Sequence, residues 1–155
     1  MSRAIFSAPA GAAVALTAAT AVVPLAWKAP GEHGLQWMGY ELGFTGVVAT
    51  EPPVLVELCY CTFAADGTAT AATEVQECGR SVAIPGNAFY TYTVAPTVLT
   101  PFRRFSVTPV GGTVLYPFED GFEPDCAADQ GFAIRLTPGA TITGSFQGSM
   151  RVARI

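Results

Sequence analysis

No helical hydrophobic period lasts three turns anywhere in this chain. Short β-like runs recur instead, each cut off by Gly or Pro, the pattern of all-β sandwiches and barrels. Strands are expected near residues 12–19, 21–28, 35–45 and 54–63, within "VQECGRSVAI", and near 89–95, 102–108, 113–118, 131–137 and 140–153. Along 35–45, Leu35 and Trp37 alternate against Met38, Tyr40, Leu42 and Phe44. "AADGTATAATE" is expected to be a polar turn or loop, with Asp66-Gly67 supplying positive-φ geometry. Gly111-Gly112 is expected to close a hairpin and Pro138-Gly139 to make a further turn. A chain of 155 residues fits one domain. The fold class that follows is all-β: two packed antiparallel sheets, a β-sandwich or jelly-roll-like barrel with little helix.

Charge narrows the function classes. Charged residues are 13% of the chain, about half the usual ~25%, while apolar residues reach 50%. So few charges leave an exterior either of Thr, Ser, Gly and Ala or partly buried against another protein, and both are expected here. A net charge of −4 with scattered Lys and Arg argues against nucleic-acid binding, which needs a basic stripe. No window is long and pure enough for a membrane span. The N-terminal stretch has the composition of a secretory signal, but Pro9, Gly11, Thr17, Thr20 and Pro24 interrupt its apolar middle. A chain folded in a reducing cytoplasm is therefore expected, where disulfides are uncommon.

"VLVELCYCTF" at 54–63 puts Cys59 and Cys61 on one strand face with Leu55, Glu57 and Phe63. Their Cα atoms stand about 6.6 Å apart with parallel side chains, so they cannot readily bond each other. Structural zinc prefers Cys pairs that a turn folds onto one ion. Buried free thiols acting as small hydrophobes are the favoured reading; a Cys59–Cys78 or Cys61–Cys78 bridge and a metal site are the alternatives. His33, the lone histidine, sits between Gly residues with no G-x-S-x-G elbow to serve, and is expected to be a solvated loop residue.

"PFEDGFEPDCAADQ" gathers Glu119, Asp120, Glu123, Asp125 and Asp129, and Asp120-Gly121 can turn the chain so that carboxylates converge. Calcium or paired catalytic acids are conceivable uses, but a solvated acidic loop is favoured and the spacing fits no EF-hand. Arg103 and Arg104 face opposite sides of a strand, so the alternatives, equally weighted, are that one is buried or interfacial, with a salt bridge to the acidic loop as one use, or that both are solvated. No constellation supports an enzyme, and no cofactor is expected.

The blocks "PAGAAVALTAATA", "EPPVLVELCYCTFA", "FRRFSVTPVGGTVLYPFEDGFEPD" and "QGFAIRLT" are similar to the decoration or minor capsid proteins of tailed-bacteriophage heads, in siphophages of actinobacteria and their relatives. The resemblance implies a β-rich, non-enzymatic virion protein, often trimeric. Such a protein binds the outer face of the shell and clamps neighbouring capsomers, its partners being the major capsid protein and its own copies. Localisation would be the outer capsid surface after assembly in the host cytoplasm. On this view residues 1–10 form an extended arm lying on another subunit, and 11–155 the domain. Candidate interface residues are Arg3, Ile5, Phe6, Trp37, Arg103, Arg104, Phe118 and Phe122. The alternative is another virion part, such as a head-fibre base or tail protein, whose exposed aromatics around Trp37, Tyr90, Tyr92, Phe118 and Phe122 bind host glycans.

Overall fold

A computed structural model describes residues 3–63 and 67–155. Its strands are β1 (Ile5–Pro9), β2 (Val14–Ala15), β3 (Val22–Lys28), β4 (Leu35–Thr45), β5 (Val54–Thr62), β6 (Thr68–Ala71) and β7 (Val75–Cys78). They continue with β8 (Asn87–Val94), β9 (Val98–Val107), β10 (Val114–Pro117), β11 (Asp125–Cys126), β12 (Gln130–Pro138) and β13 (Ser145–Arg154). Among the described residues they form two antiparallel sheets. One has the order β10-β4-β13-β1-β7, with β11 also on β4 and β2 on β13; the other runs β6-β8-β3-β12-β5-β9. The fold is an all-β sandwich.

Alternation builds the core between the sheets. Val54, Val56 and Leu58 of β5 and Phe132, Ile134 and Leu136 of β12 face Phe6, Trp37, Phe146, Met150 and Val152 of the other layer, all buried. Pairing β12 with β5 in register over nine residues, from Gln130↔Thr62 to Pro138↔Val54, fixes that face.

Bulges account for the places where simple alternation fails. Between β4 and β13 the register jumps from Gly39↔Arg151 to Trp37↔Val152, leaving Met38 without an opposite residue. That extra residue resets the phase, so Leu35 and Trp37 join Tyr40, Leu42 and Phe44 on the core side instead of opposing them. In β3, Val23 and Pro24 are the extra stretch between Leu25↔Ile134 and Val22↔Leu136, which is how a proline that cannot donate to the ladder sits in an interior strand. Thr91, at φ 53°, lies in the irregular stretch of β8 that turns Tyr92 to the outer face.

Several sequence expectations need correction. Ile5–Pro9 is no arm on another subunit: β1 pairs with β13 from Ile5↔Ala153 to Pro9↔Ser149 and with β7 on its other side, and Phe6 and Ala8 are wholly buried in the chain's own core. An alternating Phe-x-Ala pair with a partner on each side is a central strand, which the Ala-rich composition disguised. Gly111-Gly112 closes no hairpin, because β9 and β10 belong to different sheets; a single 3-10 turn, Pro109–Gly111, starts that crossing. Pro138-Gly139, by contrast, does start a bend as expected, at the end of β12 on the passage to β13 in the other sheet. Asp66 lies outside the described residues, while Gly67 has φ 74° and the segment after it is strand β6.

Cys59 and Cys61 are buried free thiols with parallel aim, in a smaller apolar cluster on the outer face of the six-stranded sheet with Val23, Ala26, Phe63, Tyr92 and Ala133. Burial pushes the Cys59 thiol up to about 11 and Cys61 higher still, so both stay protonated. Cys78 is exposed on β7 in the other sheet, which excludes a bridge from it to either. His33 is not the solvated ring expected: both nitrogens are shut off from solvent without a hydrogen-bond partner among the described residues. Burial first, then the charge of Arg154, lowers its pKa and keeps it neutral.

Candidate functional site

The open side of the sandwich, where the β5–β9 edge of one sheet meets the β4–β10 edge of the other, holds a cleft of ≈610 Å³. Tyr60, Phe102 and Arg103 line it from one sheet, and Tyr116, Phe118, Glu119, Phe122, Glu123, Pro124 and Asp125 from the other.

Each wall has a local cause. β9 follows β5 in register until Leu58↔Arg103, then resumes at Cys59↔Pro101, so Phe102 is an extra residue in an edge strand. Such a bulge bends the edge and re-aims a side chain; here Phe102 packs on Tyr60 at 4.7 Å and on Trp37 at 6.0 Å between ring centroids. The facing wall is a strap, residues 114–126, laid along β4 through β10 and β11. Two glycines let it lie that close. A Cβ on Gly39 would stand 2.8 Å from the Tyr116 carbonyl oxygen, and one on Gly34 2.2 Å from that of Cys126.

At the tip of the strap the chain turns through Glu119–Phe122, closed by the Phe122 N–H donating to the Glu119 carbonyl at 2.9 Å, with Gly121 at φ 86°. The Asp120-Gly121 turn is therefore real, and Glu119, Glu123 and Asp125 all come to line the cleft. Glu123 folds inward, accepts from the Gly121 N–H at 2.7 Å, and pairs with Arg3 at 3.4 Å. The turn's backbone N–H groups and Arg3 hold its carboxyl below the usual range. Glu119 and Asp125 stay at the cleft and take part in no ion pair among the described residues. No group of three metal-ligating side chains gathers there or elsewhere among the described residues.

Aromatic rings run continuously from the interior to this cleft. Trp37, fully buried, touches Phe132 at 5.2 Å, Phe118 at 5.7 Å and Tyr40 at 6.0 Å. Tyr116 stacks on Tyr40 at 5.5 Å and meets Phe118 edge-on at 5.4 Å. Arg103 lays its guanidinium 4.4 Å from the centre of the Tyr116 ring. Burial, then the charge of Asp125, raises the Tyr60 phenol. Phe122 at the tip is 79% exposed.

Of the expected interface residues, Phe118, Phe122 and Arg103 come together here. Arg3 braces the strap through Glu123, and Ile5 lies in β1, away from the cleft lining. Phe6 and Trp37 are core and offer no surface. The two arginines do face opposite ways, yet neither is buried: Arg104 leaves the cleft for the outer face and, with Arg135, pairs Glu57 at 2.6 and 2.5 Å. Of the imagined glycan platform, Trp37 and Tyr92 are buried and Tyr90 packs on the core from β8. Tyr60, Phe102 and Tyr116 were missed. The Tyr60 alternation pattern reads as core, and only its place next to the edge strand exposes it.

No family model matches the chain, and no curated protein matches it. Among solved structures, that of the infectious bursal disease virus Gt strain aligns with 97% of this chain and 40% of that chain, at 13% identity and a TM-score of 0.25. At that score the likeness assigns neither family nor function.

Proposed function

We propose that this protein is a non-enzymatic structural component of a virion, a decoration protein that docks on the outer face of a phage head and ties neighbouring capsomers together. The observation that carries the reading is the aromatic cleft. Three of the chain's exposed large apolar side chains, Tyr60, Phe102 and Phe122, line one opening, where a solitary soluble domain would scatter them. Aromatics held rigidly around a desolvated centre are what protein interfaces use as anchors. The scarcity of charge and the block-wise resemblance to phage head proteins support the same reading, with the major capsid protein as partner and a homotrimer as the working assembly. Repetition over a symmetric shell would let modest contacts add up.

Co-sedimentation with assembled, expanded heads tests it. The intact chain is expected to pellet with particles and the Phe122→Ala variant to stay in the supernatant; an intact chain that never pellets overturns the reading. A second reading, a tail or fibre component binding glycans, draws on the same rings and carboxylates. Binding to whole host cells, absent from purified heads, would favour it.

A further inference from the structure

The walls of the cleft say what kind of group fits between them, given the docking reading above, on which this inference rests. The rings are not coplanar: Tyr60 and Phe102 meet at 42°, Tyr116 and Phe118 at 78°. A sugar ring stacks on a flat, open face. Tilted neighbours offer no such continuous face, whereas a single exposed ring face is enough to attract a cation. The cleft already holds one, since Arg103 lies over Tyr116 at 4.4 Å. The charges of the lining are unequal as well. Glu123 is matched by Arg3, and of the other charged lining residues two are carboxylates, Glu119 and Asp125, and one a cation, Arg103, whose guanidinium lies over Tyr116. The Phe102 bulge and the exposed Phe122 leave the entrance open.

We infer that the cleft receives an arginine side chain presented by the protein partner. Its guanidinium enters between the Phe102, Phe118 and Phe122 rings, and Glu119 and Asp125 supply the countercharge. Arginine suits the site better than lysine because a planar guanidinium stacks on rings while its edge hydrogen-bonds carboxylates.

The test titrates the full-length protein with Nα-acetyl-arginine methylamide and, separately, with its uncharged citrulline counterpart, following backbone amide resonances by NMR. The arginine probe is expected to shift Phe102, Tyr116 and Phe122 saturably, with weaker binding at high salt, and citrulline to leave them in place. Glu119→Gln combined with Asp125→Asn is expected to weaken the arginine response at least tenfold without moving the melting temperature; Phe122→Ala should weaken it with both carboxylates intact. Equal shifts from citrulline, or shifts from methyl glucoside where arginine gives none, overturn the inference. Particle binding separates the two claims. Heads that retain the Glu119→Gln/Asp125→Asn protein reject the arginine site and leave docking standing. Arginine binding by a chain that never pellets with heads does the reverse.

Discussion

The inter-sheet core and the cleft are built from the same material and treat it in opposite ways. Around Trp37, Phe132, Phe146 and Phe6 the rings are sealed between two sheets. Further out, Phe102 and half-buried Phe118 continue the same network into the cleft, and Phe122 beside them stands open to water. The carboxylates divide likewise. Glu57 is buried and held by two arginines, and Glu51 accepts from both the N–H and the hydroxyl of Thr143, whereas Glu119 and Asp125 make no ion pair among the described residues. Groups satisfied inside the fold hold it together. Charged groups left without an ion-pair partner at the cleft are available to something else, and Trp37 touches both regions.

The contrast can be broken most severely at the seam. Trp37→Ala removes the ring common to both regions, with an expected loss of about 3–5 kcal/mol in urea unfolding together with loss of particle binding. Intact stability in that variant would mean that the cleft does not rest on the core. Glu57→Ala touches only the satisfied side. Roughly 1.5–3 kcal/mol should be lost, the lower end reflecting the solvent around Arg104, and particle binding should persist. The side chain of Arg135 holds the Glu57 carboxyl below the usual range despite burial. A depressed folded pKa contributes stability that is present above the unfolded value and drains away as the pH falls through the folded one. Unfolding free energy is therefore expected to hold near neutrality and to decline below about pH 4.5, less steeply in Glu57→Ala. Phe122→Ala is the smallest change: stability should stay within about 0.5 kcal/mol of the parent while the protein no longer pellets with heads. A large loss of stability there would place Phe122 with the core after all.

The class of fold was legible because turn residues and two-residue alternation are local signals: β3, β4, β5, β8, β10 and β12 lie close to where the sequence puts them. What was hidden depends on partners. β1 shows only a short Phe6-x-Ala8 alternation in an Ala-rich setting, and its pairing comes from β13 and β7 on either side. The aim of Trp37 depends on the bulge at Met38, and that of Phe102 on its own extra position, neither of which composition marks. Phe118 and Phe122 were named as candidate interface residues alongside the capsid resemblance, but Tyr60, Phe102 and Tyr116 come from separate strands that only the packing of two sheet edges brings together.

The position of β1 has a consequence for folding kinetics. Ile5 lies opposite Ala153, so that pairing forms only when segments far apart along the chain meet, a step of high contact order. Until then β1 is an unzipped edge, open to the wrong neighbour. Slow closure of that seam follows from the topology.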